Sequence, residues 1–246
     1  MQTQIKKTLV VIPARGGSKR IHNKNIIDIN GQPMIYWPLI QLSTIFKGSD
    51  VLVSTDSSEI KSAVEKKGLQ VPFLRPAELS DDYTGTAEVV AHALNWYEDH
   101  VCKVEYVMTV YPTAVLLSAA DIVAAVEALR SDRNCDSIMS ATSFPFPIQR
   151  AVFENSAGYA EMFEPSHYSS RSQDLTEAMH DAGQFYVSKA SVVREGRVLT
   201  NTNVKLHKLA RNKVVDIDTF EDFQIAEERL RLMRGDQVLD NWRFVL

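Results

Sequence analysis

The sequence has little cysteine and no long hydrophobic run. Its two cysteines, Cys102 and Cys135, fit no metal-binding spacing, and each is expected to be a small buried side chain. No uninterrupted apolar run approaches the ~20 residues that span a bilayer, and the apolar stretch 9–12 is too short for a signal peptide. We therefore expect a cytoplasmic protein without membrane association.

Two common phosphate-binding fingerprints are also missing, and the first 27 residues lack acidic side chains. The sequence contains neither Gly-x-Gly-x-x-Gly nor Gly-x-x-x-x-Gly-Lys-Ser/Thr, which argues against dinucleotide dehydrogenases and P-loop NTPases. Residues 1–27 contain no acidic residue and six basic ones, whereas the rest of the chain has 31 acids against 21 bases. A basic patch confined to the first loop indicates a small anionic ligand and not nucleic acid.

The composition and the hydrophobic pattern predict one α/β domain over residues 1–246. Hydrophobic residues make up 45% of the chain, as is typical of globular proteins. Strand-like and helix-like segments alternate, which predicts a mostly parallel twisted sheet with helices on both faces, similar to a Rossmann fold. Strands are expected at 9–12, 51–54, 71–74, 106–110, 136–141, 183–187 and 214–217, and helices at 33–46, 58–67, 86–97, 119–129 and 220–233.

The alternation stops between residues 143 and 182. The Phe-Pro-Phe-Pro run at 144–147 cannot continue a helix, and 159–164 predicts one short edge or hairpin strand. An irregular excursion inside an α/β domain is usually a functional lid or an oligomerisation arm. We expect this inserted arm to serve dimerisation or substrate binding.

The loop after the first strand has the composition of a polyphosphate site. Gly16 and Gly17 follow the apolar strand directly, at the position where open parallel sheets bind ligands. Consecutive glycines allow close backbone approach with N–H groups turned inward, and nearby cations neutralise phosphate charge. The cations of this loop are Arg15, Lys19, Arg20 and Lys24.

Two carboxylates near the C-terminus, Asp216 and Asp218, have two possible roles. If 214–217 is a strand, residues two apart point the same way, so both could reach one Mg²⁺ beside a polyphosphate. Alternatively, Asp218 or Thr219 simply caps the helix that follows. The two roles do not exclude each other, and the basic loop favours Mg²⁺ binding.

Two further polar stretches leave their roles open. The segment 54–58 ends a strand, and Asp56 in it is best interpreted as structural. The stretch from Arg171 to Tyr186 carries an arginine, amides and His180, which suit an acidic, hydroxyl-rich substrate such as a sugar acid. The same residues are equally typical of a polar surface loop.

An ordered set of motifs resembles the acylneuraminate cytidylyltransferases, which are CMP–nonulosonic acid synthetases. The resemblance covers nearly the whole chain, and two of its segments are most similar to the pseudaminic acid branch: FPFPIQR at 144–150 and HDAGQFY at 180–186. The family motifs are IPARGGSK at 12–19, STD at 54–56, RPAEL at 75–79, YPT at 111–113, RSQDL at 171–175 and DIDT at 216–219.

The resemblance implies CMP transfer from CTP to the anomeric hydroxyl of a nine-carbon 2-keto sugar acid, with release of pyrophosphate. It also implies Mg²⁺ at Asp216 and Asp218 and a homodimer in which the arm of one subunit approaches the active site of the other. Whether Arg171 acts within its own subunit or in trans stays open. Arg15, Lys19 and Asp218 would be the catalytic residues. The implied nucleotide site comprises Ala14, Arg15, Gly16, Gly17, Ser18, Lys19, Lys24, Asn25, Thr84 and Thr86, and the implied sugar-acid site comprises Tyr111, Arg171, Gln173, Gln184 and Tyr186.

The alternatives differ in substrate or in catalytic competence. Tyr111 stands where sialic acid enzymes usually have Gln, which fits the pseudaminic branch, and Val115 replaces a common proline. A sialic or legionaminic acid synthetase remains an alternative, because sugar stereochemistry depends on fine pocket shape. A regulatory module that binds CTP without turnover is the second alternative, although retention of both aspartates argues against it.

Overall fold

The computed structural model describes residue 5 and residues 7–81, 83–197, 202–234 and 242–244. The strands are β1 (Thr8–Pro13), β2 (Asp28–Ile29), β3 (Gln32–Pro33), β4 (Val51–Ser54), β5 (Tyr106–Val110), β6 (Ser137–Ser143), β7 (Val152–Glu154), β8 (Ala160–Met162), β9 (Met179–Lys189) and β10 (Val204–Leu209). The helices are α1 (Tyr36–Ser43), α2 (Ser58–Glu65), α3 (Thr86–His100), α4 (Ala119–Ser131), α5 (Ala190–Arg194) and α6 (Phe220–Arg234).

Six strands form the central sheet in the order β10-β6-β9-β5-β1-β4. Strand β1 runs parallel to β4 and β5, and β10 runs parallel to β6. Strand β9 is antiparallel to both of its neighbours. The expected α/β class with a mostly parallel sheet is confirmed, with β9 as the exception.

Alternation along β1 places helices on both faces of the sheet. Val10 and Ile12 face the core that contains residues of α1, α2 and α4. Leu9 and Val11 face the other side, where they meet α3. All four side chains are fully buried, as expected of a central strand covered on both faces. Helix α6 packs separately, against a cluster around Trp37.

Two strand predictions are wrong, and four strands were missed: the short β2, β3 and β7, and β10 in the central sheet. Residues 71–74 and 214–217 are extended loops that pair with no strand in the described part of the chain. The edge position next to β6 is taken instead by Val204–Leu209. Its lysines and histidine break the apolar signal, because an edge strand is half-exposed and commonly carries charge.

Smaller differences concern prolines and cysteines. Helix α1 starts at Tyr36, so Pro38 lies in its first turn and Pro33 lies in β3 instead. Proline fits the first turn because the N–H groups there have no intrahelical partner. Cys135 is buried as expected, but Cys102 is exposed just beyond α3.

Up to Asp181, the arm contributes no residue to the buried core, whereas Ala182 at its end is buried. Strands β7 and β8 form a separate antiparallel hairpin, and no residue from 143 to 181 is buried. The expected short strand at 159–164 is present as β8. None of the helices in the described ranges is long and apolar enough to cross a membrane.

Candidate active site

A cavity of about 720 Å³ opens where β1 and β5 end. The loop after β1 and the turn after β5 supply much of its wall, at the carboxyl edge where open α/β sheets bind ligands. Most of the residues predicted to form the site meet here. The predicted residues that line the cavity are Arg15, Ser18, Lys19, Lys24, Asn25, Thr84, Thr86, Tyr111, Tyr186, Asp216 and Asp218.

The glycine loop is held against the turn after β4. The Gly16 N–H donates to Asp56 Oδ1 at 2.8 Å, so that group is occupied within the protein and does not point freely at a ligand. This differs from the expectation that both glycines offer N–H groups. A Cβ on Gly16 would lie 2.9 Å from Ser57 Cβ, so glycine permits this close approach. Gly17 has open space around it, and no wall of the cavity includes either glycine.

Asn25 and Lys24 connect the glycine loop to the rest of the cavity. Asn25 is buried, and its Nδ2 donates to the Arg15 carbonyl at 2.8 Å. Lys24 Nζ donates to the Ile217 carbonyl at 2.7 Å and lies 3.3 Å from Asp218 Oδ1. The basic loop and the carboxylate segment are therefore joined directly.

Asp216 and Asp218 form a charged pair at one end of the cavity. Ile217 between them is fully buried, so the two carboxylates lie on the same side of an extended segment although it is not a strand. Loss of solvent and the charge of Asp218 raise the pKa of the Asp216 carboxyl. Arg20 and Lys24 partly balance Asp218, at 3.0 and 3.3 Å from its Oδ1.

The helix cap at α6 is a separate group, Thr219 with Asp222. The Asp222 side chain accepts from the N–H groups of Asp218 and Thr219, at 3.1 and 2.7 Å. In return, the Asp222 N–H donates to Thr219 Oγ1 at 3.2 Å, which is a capping box. Since Thr219 and Asp222 make the cap, the carboxylates of Asp216 and Asp218 are not needed for it.

Two tyrosines form another part of the cavity wall. Tyr111 and Tyr186 rings meet edge to face, with centroids 5.8 Å apart. The Tyr111 hydroxyl lies 3.2 Å from Thr86 Oγ1, at the first turn of α3. The Tyr186 hydroxyl donates to Asp181, and burial raises the pKa of Tyr186 far above its ordinary value. The Tyr186 hydroxyl is therefore protonated at neutral pH.

The remaining predicted residues do not line the cavity. Gln184 is buried, and its amide donates to the Lys213 carbonyl, so it stabilises the loop before Asp216. Ala14 is fully buried and donates its N–H to the Ser54 carbonyl. Arg171 pairs with Asp174 at 2.8 Å within the arm, where Gln173 is likewise exposed. The single chain does not bring Arg171 and Gln173 to the other site residues.

A comparison with known protein families identifies the family of this chain. A family model described as cytidylyltransferase matches residues 9–230, which is most of the chain. The chain belongs to the cytidylyltransferase family. The cavity of this cytidylyltransferase accordingly lies within the matched segment.

Individual relatives agree with the family. The chain is 39% identical over 227 residues to the pseudaminic acid cytidylyltransferase of Campylobacter jejuni, covering 90% of this chain and 95% of the relative. It is 28% identical to the N-acylneuraminate cytidylyltransferase of Streptococcus agalactiae, with 88% of this chain matched to 52% of that protein.

Solved structures share the cytidylyltransferase fold. CMP:2-keto-3-deoxy-manno-octonic acid synthetase complexed with CTP superimposes with a TM-score of 0.68 and 17% identity. The superposition covers 94% of this chain and all of the other. At this identity the similarity establishes the fold alone, and it confirms the expected Rossmann-like nucleotidyltransferase architecture.

Arg75 and Asp81 are among the cavity residues of this cytidylyltransferase that were not predicted. Arg75 is buried and pairs with Asp56 at 3.6 Å, while its Nε donates to Ser80 at 3.2 Å. Burial lowers the pKa of Arg75, and Asp56 opposes that effect. Asp81 accepts from the Thr84 N–H at 2.7 Å and from its hydroxyl at 2.6 Å. Arg75 opens the RPAEL motif, which was the available signal, whereas nothing in the sequence singled out Asp81.

Proposed function

We propose that this cytidylyltransferase transfers CMP from CTP to the anomeric hydroxyl of pseudaminic acid, releasing pyrophosphate. The observation that carries the proposal is the 39% identity to a pseudaminic acid cytidylyltransferase over nearly the full length of both chains. The cavity supports it, because the basic side chains of the glycine loop lie directly beside the carboxylate segment of Asp216 and Asp218. Such an arrangement suits a triphosphate beside a divalent cation.

The basic side chains of the cavity are suited to the triphosphate of CTP. Arg15, Lys19 and Lys24 line the cavity from one loop, and they would hold the phosphate oxygens and offset their charge. Asn25 positions Arg15, because its Nδ2 donates to the Arg15 backbone carbonyl at 2.8 Å. Thr84 and Thr86 at the start of α3 would lie beside the cytidine.

The two carboxylates fit Mg²⁺. Mg²⁺ commonly binds one or two carboxylates and completes its octahedral shell with phosphate oxygens and water. Asp216 and Asp218 supply two such carboxylates, and mutual repulsion between them favours a cation. Within the part of the chain described, no cluster of three or more His, Cys, Asp or Glu offers a complete protein-only site. When bound, the ion would stabilise negative charge on the leaving pyrophosphate.

The chain's own residues contribute mainly position and charge. The anomeric oxygen attacks the α-phosphorus, the bond to the pyrophosphate oxygen breaks, and the hydroxyl proton leaves to solvent. Phosphoryl transfer asks little covalent chemistry of a protein, so orientation and electrostatic stabilisation dominate. Lys24 is well placed for both, because it joins the basic loop to Asp218 at 3.3 Å.

A homodimer would complete the sugar-acid site. Eight large hydrophobic side chains are exposed between Phe144 and Tyr168, half of all those found exposed in the described residues. A patch of this kind marks a protein interface. Arg171 and Gln173 belong to the same arm, so the arm of one subunit would carry them to the cavity of the other. Arg171 could then pair with the substrate carboxylate, bidentately where the geometry allows.

Pyrophosphate release from CTP and Mg²⁺ tests this proposal. Pseudaminic acid, N-acetylneuraminic acid and a legionaminic acid are supplied in parallel, and we expect release with pseudaminic acid alone. Release only with another nine-carbon acid would keep the reaction and reject the substrate. CTP binding without release in any tube would favour the regulatory alternative.

A further inference from the structure

Asp181 lines the cavity, but neither the nucleotide nor the metal assignments give it a role. It lies on β9, where its Oδ2 accepts from the Tyr186 hydroxyl and its Oδ1 accepts from the Gly183 N–H at 2.8 Å. The carboxylate is therefore held at both oxygens by its own strand. A side chain fixed in this way is suited to a specific contact.

An irregularity in β9 places Asp181 on the wall of the cavity. On β6, Met139 pairs with Tyr186 and Ala141 pairs with Asp181, so two steps on β6 correspond to five on β9. Residues five apart on a regular strand point to opposite faces. The three extra residues reverse the alternation, and Asp181 consequently shares the face of Tyr186. Bulges of this kind often re-aim side chains beside active sites.

Gly183 within the bulge brings Asp181 close to the proposed reaction centre. Its φ of +60° is in the left-handed region, which glycine adopts without strain. A Cβ at Gly183 would lie 3.7 Å from the Asp216 carboxyl carbon, so the bulge is directly beside the metal-binding segment. The acceptor sugar must occupy this end of the cavity, because its anomeric oxygen has to reach the α-phosphorus.

The hydrogen-bonding capacity of Asp181 defines what it can recognise. A carboxylate accepts at about four lone-pair positions, and two are used by Tyr186 and Gly183. Tyr186 stays a donor, because burial keeps its hydroxyl protonated. The positions left on Asp181 can accept only from an O–H or N–H group. Nine-carbon sugar acids carry such donors on their hydroxyl and acylamido substituents.

We propose that Asp181 is a specificity-determining residue that accepts a hydrogen bond from a hydroxyl or amide N–H of the sugar acid. The proposal rests on the proposed function and deepens it, since it names the contact that selects among nine-carbon acids. A site built around a substrate donor discriminates strongly against analogues that lack it.

Steady-state kinetics of Asp181→Asn test the inference. The amide keeps the size of the side chain but replaces one acceptor oxygen by a donor. We expect the KM for the sugar acid to rise by about 10- to 100-fold, as for loss of a hydrogen bond to a charged group, with an unchanged KM for CTP. Asp99→Asn, an exposed aspartate on α3, serves as the matched control with no expected change.

Substrate analogues identify the donor. Among nine-carbon acids lacking one hydroxyl or one acylamido group, wild type should lose affinity for the analogue without the recognised group. Asp181→Asn should show no further loss with that analogue, because the contact is already absent. If Asp181→Asn does not fold, Tyr186→Phe tests the same contact through release of the carboxylate, with a smaller rise in the sugar-acid KM.

The outcomes separate this inference from the proposed function. An active wild type with an unchanged sugar-acid KM in both Asp181→Asn and Tyr186→Phe overturns the inference alone. Equal rises in the KM values for CTP and for the acid also overturn it, because Asp181 would then act on the whole site. A wild type that releases no pyrophosphate with any nine-carbon acid overturns the proposed function, and the inference falls with it.

Discussion

The cavity and the arm are built in opposite ways. The cavity stands at the edge of a sheet whose central strand β1 is covered on both faces, and its polar side chains hold one another. The arm has no buried residue from 143 to 181 and exposes eight large hydrophobic side chains. A segment without its own core gains little from folding alone, because burial of apolar surface is the main stabilising contribution.

The difference shows that closeness in sequence does not decide which residues reach the cavity. The glycine loop and the segment 216–218 are far apart in sequence, yet Lys24 joins them at 2.7 Å through the Ile217 carbonyl. Arg171 is much nearer to the same segment in sequence and does not line the cavity. The cavity is formed within one chain, whereas residues 143–181 of the arm are not buried in that chain.

The largest effect on the cavity side is expected from Asp218→Asn. The variant removes one of two carboxylates proposed for Mg²⁺, so turnover should fall by about 10²- to 10³-fold or more, by analogy with other lost electrostatic contacts in transition states. The fold should persist, since Thr219 and Asp222 make the helix cap. Pyrophosphate release and circular dichroism measure the two properties. Activity near the wild-type level would contradict the metal assignment.

A second test separates binding of the CTP phosphates from binding of the sugar acid. Lys19→Ala should raise the KM for CTP by about 10- to 100-fold, as expected for loss of a charge-assisted contact to phosphate. The KM for the sugar acid should change little, because Lys19 is proposed to contact the phosphates of CTP and not the acid. The assay varies each substrate at saturating levels of the other. Equal rises in both KM values would show that Lys19 does not act on the triphosphate specifically.

Sequence patterns predicted the parts that depend on local composition. The strands over 51–54 and 106–110 appear at the expected positions, because their apolar runs are buried on both faces. The loop with Arg15 and Lys19 and the pair Asp216 and Asp218 meet in one cavity as expected. These features follow from residue type and spacing alone.

The rest depends on contacts between distant segments. Gln184 points away from the cavity, and Asp181 points into it, because of a register shift that only the pairing of β9 with β6 determines. The Gly16 N–H is used by Asp56, forty residues away. Strand β10 was missed because its charged residues suit an exposed edge and hide the apolar period. Side-chain direction at such places is a tertiary property.

On the arm side, Phe163→Glu tests whether the exposed apolar surface is an interface. Phe163 is 66% exposed, and its ring contacts that of Phe153, with centroids 4.9 Å apart. A charge here should shift the protein from dimer to monomer, measured by sedimentation velocity. Turnover should fall together with dimer content if Arg171 acts in trans. The matched control is Leu232→Glu, at an 86% exposed position on α6 outside the arm.

The test of the arm combines two measurements, the dimer content and the turnover. A dimer that persists in Phe163→Glu, or that Leu232→Glu disrupts equally, contradicts the arm interface. A monomer with wild-type turnover would keep the interface and reject a role for Arg171 in the partner's cavity. The arm would then contribute to dimer stability and not to activity.

The smallest effect on activity is expected far from both regions, at Glu98 on α3. Its side chain is 3% exposed and accepts from Arg194 Nε at 3.0 Å, from Lys103 at 3.1 Å and from the Val104 N–H at 3.2 Å. These donors, Arg194 above all, lower the pKa of Glu98 to about 2 from an ordinary value of 4.5. The stabilisation is therefore complete above pH 4.5 and is lost as the pH falls towards 2.

Glu98→Gln should be less stable than wild type by about 3 kcal/mol at neutral pH, from the size of that shift. The difference in unfolding free energy between the two proteins should shrink between pH 4.5 and 2, because protonation makes the wild-type side chain neutral as well. Urea unfolding across this range gives the difference directly, with Asp99→Asn as the exposed control. Turnover at pH 7 should be unchanged, since α3 meets the cavity only at its opposite end. A constant difference at all pH values would mean that packing, and not charge, holds Glu98 in place.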